Sequence, residues 1–132
     1  MITIDTSVLV AAFSSWHERH QEANALVGPD VPVIAHCAVE CYSVLTRLPP
    51  PQRIAPADAE DWLSRRFPKP WLTLSADGYA DLVARAPRLG ITGGAIYDGI
   101  VAETAREANL TLRSFDARAR ATYRALGVST GD

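Results

Sequence analysis

Short aliphatic stretches alternate along this chain with longer amphipathic segments. Four stretches are short and apolar enough to be buried strands, at residues 1–5, 33–35, 71–74 and 110–113. Between and after them, apolar residues at helical spacing predict helices over residues 8–13, 17–27, 36–48, 56–66, 75–85, 95–108 and 117–126. This alternation predicts an α/β/α sandwich whose central parallel sheet is covered by helices on both faces. Val128 can begin an edge strand, so four to five strands are expected.

Capping and turn residues mark the expected ends of several helices. Thr6 and Ser7 follow the first strand and can cap the first helix, and Ser75 can cap the helix that runs to residue 85. The prolines at 49–51 end one helix, and Pro56 suits the first turn of the next. The boundaries are therefore predicted from local chemistry as well as from periodicity.

Length and composition indicate one small domain. The chain has 132 residues, 48% of them hydrophobic, which fits a single core and a single domain over residues 1–132. The apolar runs are far shorter than a membrane span, and the first residues lack the features of a secretory signal. We therefore expect a cytoplasmic protein without membrane contact. Cys37 and Cys41 lie four residues apart on an expected helix, a poor geometry for a disulfide, so they are interpreted as reduced core thiols.

Charge alone does not indicate a ligand class. The formal net charge is −2, which is not the signature of a nucleic-acid-binding protein. Lys69 is the one lysine among 13 basic residues, and the arginine fork suits phosphate groups. Genomic base composition explains the arginine content equally well.

Four acidic residues fall at or near the expected carboxyl ends of the strands. Asp5 ends the first strand, Glu40 lies early in the helix after the second, and Asp116 follows the strand at 110–113. Asp98 lies near the start of the helix at 95–108, on its apolar stripe. In parallel α/β folds, ligands bind at the carboxyl ends of the strands. If the four carboxylates converge there, they need cations, and an all-oxygen donor set favours Mg²⁺ or Mn²⁺ over zinc.

Each acid also has a purely structural interpretation. Asp116 is well placed as the N-cap of the last helix, and Asp5 can be a turn residue. Glu40 points away from the apolar stripe of its helix, which favours a solvated side chain. Asp98 could be a lone hydrogen-bonded buried acid. The remaining acids, Glu103 among them, are interpreted as solvated helix faces.

The order of the acidic motifs resembles that of PIN domains, and more narrowly of VapC-type ribonuclease toxins from bacterial toxin–antitoxin pairs. The motifs are IDTSVL at residues 4–9, Val39-Glu40, YDGIVA at residues 97–102 and SFD at residues 114–116. The resemblance runs through residues 123–128, almost the whole chain. It implies that the metal site is formed by Asp5, Glu40, Asp98 and Asp116. Thr6 or Ser7, together with Ser114, would be polar neighbours.

The resemblance also implies an activity and partners. It indicates a Mg²⁺- or Mn²⁺-dependent endoribonuclease that hydrolyses structured RNA to leave 5′-phosphate and 3′-hydroxyl ends. It also implies that the protein binds a cognate antitoxin protein and forms a homodimer. The alternative is a non-catalytic PIN-like module that binds RNA or protein. Candidate RNA-binding residues near the expected active end are Arg47, Arg113, Arg118 and Arg120. Phe115 and Arg113 are unusual neighbours for the last motif, so a reshaped loop is expected there.

Overall fold

The computed structural model describes residues 1–131. Within them lie two strands, β1 at Ile2–Ile4 and β2 at Thr111–Arg113. Seven helices surround these strands: α1 Thr6–Phe13, α2 His20–Leu26, α3 Ala35–Thr46, α4 Pro56–Arg66, α5 Ala76–Leu89, α6 Ala95–Glu107 and α7 Ala117–Ala125. The expected α/β class is confirmed.

The sheet is parallel but smaller than expected. β1 pairs in parallel with β2, with Ile4 opposite Arg113. Single parallel bridges continue the hydrogen bonding from Ile4 to Val33 and from Ile34 to Leu72. Because α3 begins at Ala35, the segment at 33–35 is too short to form a strand, and the expected four to five strands are not confirmed in the described residues. Near the expected edge strand, the amide of Leu112 donates to the carbonyl of Ser129 at 2.8 Å without forming a further strand there.

Most predicted helices are found with small shifts at their ends. α4 has the predicted bounds, with Pro56 in its first turn. α5 begins after Ser75, whose hydroxyl accepts from the amide of Gly78 as predicted. It runs past residue 85 to Leu89 and ends at Gly90, which takes a left-handed conformation with φ of 68°. α2 is shorter than predicted because residues 14–19 form turns.

The core lies between the short sheet and the helices. Ile4, Leu9, Leu45 and Leu112 are fully buried, which places the sheet and α1 at the centre. Each such side chain contributes roughly 1.5–3 kcal/mol on burial. The two cysteines, Cys37 and Cys41, are also buried and unpaired with each other, as predicted. No helix among the described residues is long and apolar enough to cross a membrane.

Candidate active site

A cleft of about 740 Å³ opens at the carboxyl ends of β1 and β2. Its walls come from the β1–α1 junction, the turn at residues 17–19, α3, the first two turns of α6, the loop between β2 and α7, and α7 itself. Every carboxylate of the predicted site lines it: Asp5, Glu40, Asp98 and Asp116. The structure therefore brings together four acids that are far apart in sequence.

Asp5 lies deepest, with 3% of its surface exposed. It follows β1 directly and is the N-cap of α1, because its Oδ1 accepts from the Ser7 amide at 3.0 Å and the Val8 amide at 3.4 Å. The prediction that Thr6 or Ser7 caps this helix was wrong. Strand β1 ends at Ile4, so Asp5 is the last residue with an extended backbone before the helix, and its short carboxylate reaches the free amides of the first turn.

Ser7 links the two loops that carry Asp5 and Asp116. Its hydroxyl donates to Asp5 Oδ1 at 2.5 Å and accepts from the Phe115 amide at 2.9 Å. The Ser114 hydroxyl lies 3.5 Å from the Ser7 hydroxyl and accepts from the Asp116 amide at 3.0 Å. Ser7 and Ser114, which the resemblance implies as polar neighbours of the site, therefore contact the backbone and side chains of the loops that carry Asp5 and Asp116.

Asp116 is both a helix cap and part of the cleft wall. Its Oδ1 accepts from the amides of Arg118 at 2.9 Å and Ala119 at 3.2 Å, which confirms the predicted N-cap of α7. The side chain remains exposed and lines the cleft. The capping interpretation and the site interpretation are therefore compatible, because one carboxylate oxygen is free of the capping contacts.

Glu40 and Asp98 face the cleft from two different helices. Glu40, on α3, is exposed as its helical position predicts, and its Oε1 accepts a short hydrogen bond from the Thr6 hydroxyl. Asp98 lies half-buried in the first turn of α6. Burial, and then the negative charges of Asp116, Glu40 and Asp5, raise the pKa of Asp98 from 3.8 to about 6, against a small opposing effect of His36.

The cleft has the chemistry of a hydrated cation site. Within residues 1–131, none of the ion pairs uses one of its four carboxylates. In the same part of the chain, no three acidic, His or Cys side chains come close enough to form a complete coordination group. Mg²⁺ keeps several waters and commonly binds one or two carboxylates together with substrate phosphates. The all-oxygen donors, which form no ion pair within the described residues, therefore fit an open site for a divalent cation.

Tyr123 is a cleft residue that the sequence analysis did not select. Its hydroxyl donates to Asp5 Oδ2 at 2.8 Å, and only 1% of the residue is exposed. Burial and the neighbouring Asp5 charge raise its pKa, so the hydroxyl keeps its proton. A signal was present, because Tyr123 lies on the same helical stripe as Ala119, and a buried tyrosine hydroxyl needs a partner.

The arginines near the cleft differ from the predicted set. Arg118 lines the cleft, whereas Arg47, Arg113 and Arg120 do not belong to its walls. Arg19 was not predicted, yet it lines the cleft with its guanidinium 3.6 Å from the centre of the Phe115 ring. Arg19 also contacts both carboxylate oxygens of Glu22, at 2.7 and 3.0 Å. No local sequence pattern identifies it, because Phe115 approaches it only in the folded chain.

Comparison with known proteins places this architecture in a family. Residues 2–125 match the family model described as PIN domain. The chain belongs to the PIN-domain family. This PIN domain is 47% identical over 128 residues to Ribonuclease VapC40 of Mycobacterium tuberculosis strain H37Rv, covering 97% of this chain and 96% of that protein. It is 39% identical to Ribonuclease VapC27 of the same strain, covering 96% and 93% of the two chains.

Solved structures agree on the fold. The crystal structure of Mycobacterium tuberculosis VapC20, described as a sarcin-ricin loop cleaving toxin, superposes with a TM-score of 0.69 at 21% identity and covers 97% of this chain and 96% of that one. FitAcB from Neisseria gonorrhoeae superposes with a TM-score of 0.66, also at 21% identity, over 98% and 95% of the chains. At this identity the likeness establishes the PIN fold.

Proposed function

We propose that this PIN domain is a metal-dependent endoribonuclease and the toxin of a type II toxin–antitoxin pair. The observation that carries the proposal is the convergence in one cleft of four carboxylates that form no ion pair within residues 1–131. The chain's 47% identity to a protein named a ribonuclease supports the same activity. The substrate class that we propose is structured RNA.

The four acids have distinct proposed roles. Asp5, Asp98 and Asp116 would hold a divalent ion directly or through water, and Glu40 would either join them or orient the attacking water. Such an ion, when bound, activates water and stabilises the leaving oxygen of a phosphodiester. The Thr6 hydroxyl donates to Glu40 and restricts its rotation at the cleft wall. Mg²⁺ and Mn²⁺ are both compatible with these donors.

Cleavage of a structured-RNA pool tests the activity. Wild type is expected to cleave with Mg²⁺ or Mn²⁺, while Asp5→Ala, Asp98→Ala and addition of EDTA abolish cleavage. Equal activity in all three proteins would reveal a contaminating nuclease. Absence of cleavage by wild type would favour the alternative, a non-catalytic module that binds RNA or protein.

The chemistry of the ends tests the mechanism. Attack by an oriented water leaves a 5′-phosphate and a 3′-hydroxyl on the products. A 2′,3′-cyclic phosphate, detected by mass spectrometry of the fragments, would show that the 2′-hydroxyl of the RNA attacks and would reject the hydrolytic mechanism.

We also propose a cognate antitoxin, a homodimer and a cytoplasmic location. Exposed apolar side chains available for protein contacts include Val39 on α3 and Tyr97 on α6, which are 66% and 57% exposed. Co-expression with a protein encoded immediately upstream is expected to yield a complex in which RNA cleavage is suppressed. Failure of that protein to bind would reject the pairing while leaving the nuclease proposal intact.

A further inference from the structure

Asp5 differs from the other three carboxylates of the cleft in its depth and in how it is held. It is 3% exposed, whereas Glu40 and Asp116 are classed as exposed and Asp98 as half-buried. Both of its oxygens accept hydrogen bonds from the protein. The donors come from opposite ends of the chain, because Ser7 lies two residues away and Tyr123 lies 118 residues away.

The hydrogen bonds distribute unequally over the two oxygens of Asp5. Oδ1 accepts from the amide and hydroxyl of Ser7 and, at 3.4 Å, from the amide of Val8. Oδ2 accepts only the hydroxyl of Tyr123 among the described residues, at 2.8 Å. Each carboxylate oxygen can accept about two hydrogen bonds. The donors at the start of α1 therefore fill the acceptor capacity of Oδ1, whereas Oδ2 can accept one more contact. Oδ2 is therefore the oxygen with capacity left for a cation or a water.

We propose that Tyr123 is a positioning residue that holds Asp5 Oδ2 in place for a divalent cation, an inference that rests on the proposed metal-dependent function. The ring of Tyr123 is buried in the core, so its hydroxyl has little freedom to move away from Asp5. Helix α7 would then contribute twice to the site, with Asp116 at its start and the Tyr123 hydroxyl about two turns later. Loss of such a supporting hydrogen bond typically costs 10–100-fold in metal affinity or activity.

A single hydroxyl deletion tests this role without disturbing the packed ring. The full-length wild type and Tyr123→Phe are compared by calorimetric titration with Mn²⁺ in the absence of RNA, and by steady-state RNA cleavage. The matched control is Tyr79→Phe, which removes a hydroxyl from an exposed tyrosine on α5 that does not line the cleft. Thermal unfolding of each variant verifies that the fold is retained.

For Tyr123→Phe we expect the Kd for Mn²⁺ to rise about 10-fold and kcat to fall about 10-fold, with KM within about twofold of wild type. Tyr79→Phe should match wild type in all three quantities. A purely structural role of Tyr123 would lower the unfolding temperature and leave the Kd and kcat unchanged.

The outcomes separate this inference from the proposed function. A Tyr123→Phe protein with wild-type Kd and kcat would overturn the positioning role, while RNA cleavage by wild type would still support the nuclease. If wild type binds Mn²⁺ tightly, Tyr123→Phe binds it weakly and neither cleaves RNA, the positioning role stands and the nuclease proposal fails. Failure of wild type to bind Mn²⁺ would overturn the positioning role.

Discussion

Two of the three acidic side chains on helix α6, Glu103 and Asp98, lie in opposite electrostatic surroundings. Glu103 is 3% exposed and forms ion pairs with Arg85 of α5 at 3.1 Å and with Arg106, one turn later, at 2.6 Å. Asp98, near the start of the same helix, has no such pair within residues 1–131, and its pKa is raised to about 6. Breaking the ion pairs of a buried acid destabilises the fold, whereas an acid whose pKa is raised among other acids is a candidate for a functional site.

The largest expected effect is the loss of RNA cleavage when Asp98, but not Glu103, is the acid that is changed. Asp98→Asn keeps the shape of the side chain but removes the charge, and should lower the rate of RNA cleavage by about 100-fold or more, equivalent to roughly 2.7 kcal/mol of transition-state stabilisation. Single-turnover cleavage measures this effect. The control Asp30→Asn changes an exposed loop acid and should retain the wild-type rate. A fully active Asp98→Asn protein would contradict the assignment of Asp98 to the active site.

The second effect is on stability. Glu103→Ala leaves Arg85 and Arg106 without their carboxylate and should lower the free energy of unfolding by about 2 kcal/mol, measured by urea denaturation. Cleavage well below the unfolding temperature should persist. Asp61→Ala, which removes a solvent-exposed pair with Arg65, is the matched control and should unfold like wild type. Equal stability of both variants would contradict a structural role for Glu103.

The third effect is the pH dependence that follows from the raised pKa of Asp98. Because the folded pKa of about 6 exceeds the ordinary value of 3.8, the folded protein loses stability as pH rises through this interval and stays lower above it. In EDTA at pH 7.5, Asp98→Asn should therefore be more stable than wild type by about 1 kcal/mol, a figure reduced for solvent screening of a half-exposed group. Urea unfolding should show this gain shrinking towards pH 4. A constant difference would contradict the assignment.

The smallest expected effect is on RNA affinity, and it concerns the guanidinium of Arg19 beside the acidic cleft. Arg19 lines the cleft while pairing with Glu22, and Arg65 pairs with Asp61 elsewhere on the surface. In buffer containing Ca²⁺, Arg19→Ala should raise the Kd for RNA about threefold and make that Kd less dependent on salt concentration. Arg65→Ala should change neither the Kd nor its salt dependence. Filter binding at several salt concentrations measures both. Identical behaviour of the two variants would exclude Arg19 from the RNA surface.

Local chemistry explains why much of the fold was predictable. The prolines, Ser75 and the apolar stripes predicted the helices within a few residues, because caps and periodicity act over short distances. Strand lengths were not predictable in this way. An aliphatic run such as 33–35 becomes a strand only if neighbours offer enough hydrogen bonds, and here α3 begins before they can form.

In the candidate site, too, features set by local sequence were predictable and features set by tertiary contacts were not. Asp5 and Asp116 were predicted because both follow a strand and precede a helix, a position set by sequence order. The partners of these and other polar groups were decided by tertiary structure. Glu103 was wrongly predicted to be solvated, because the Arg85 that pairs with it comes from another helix.

The sequence by itself determined the α/β class, the helices, the order of the acidic motifs and the resemblance to PIN domains, because these depend on local propensities and on spacing. Only the tertiary structure decided which acids form no ion pair within residues 1–131, which arginines line the cleft, and that the Tyr123 hydroxyl donates a hydrogen bond to Asp5, 118 residues away. The physical reason is that burial, electrostatic repulsion and hydrogen bonding depend on distances in space. Those distances are fixed when the helices pack against the short sheet.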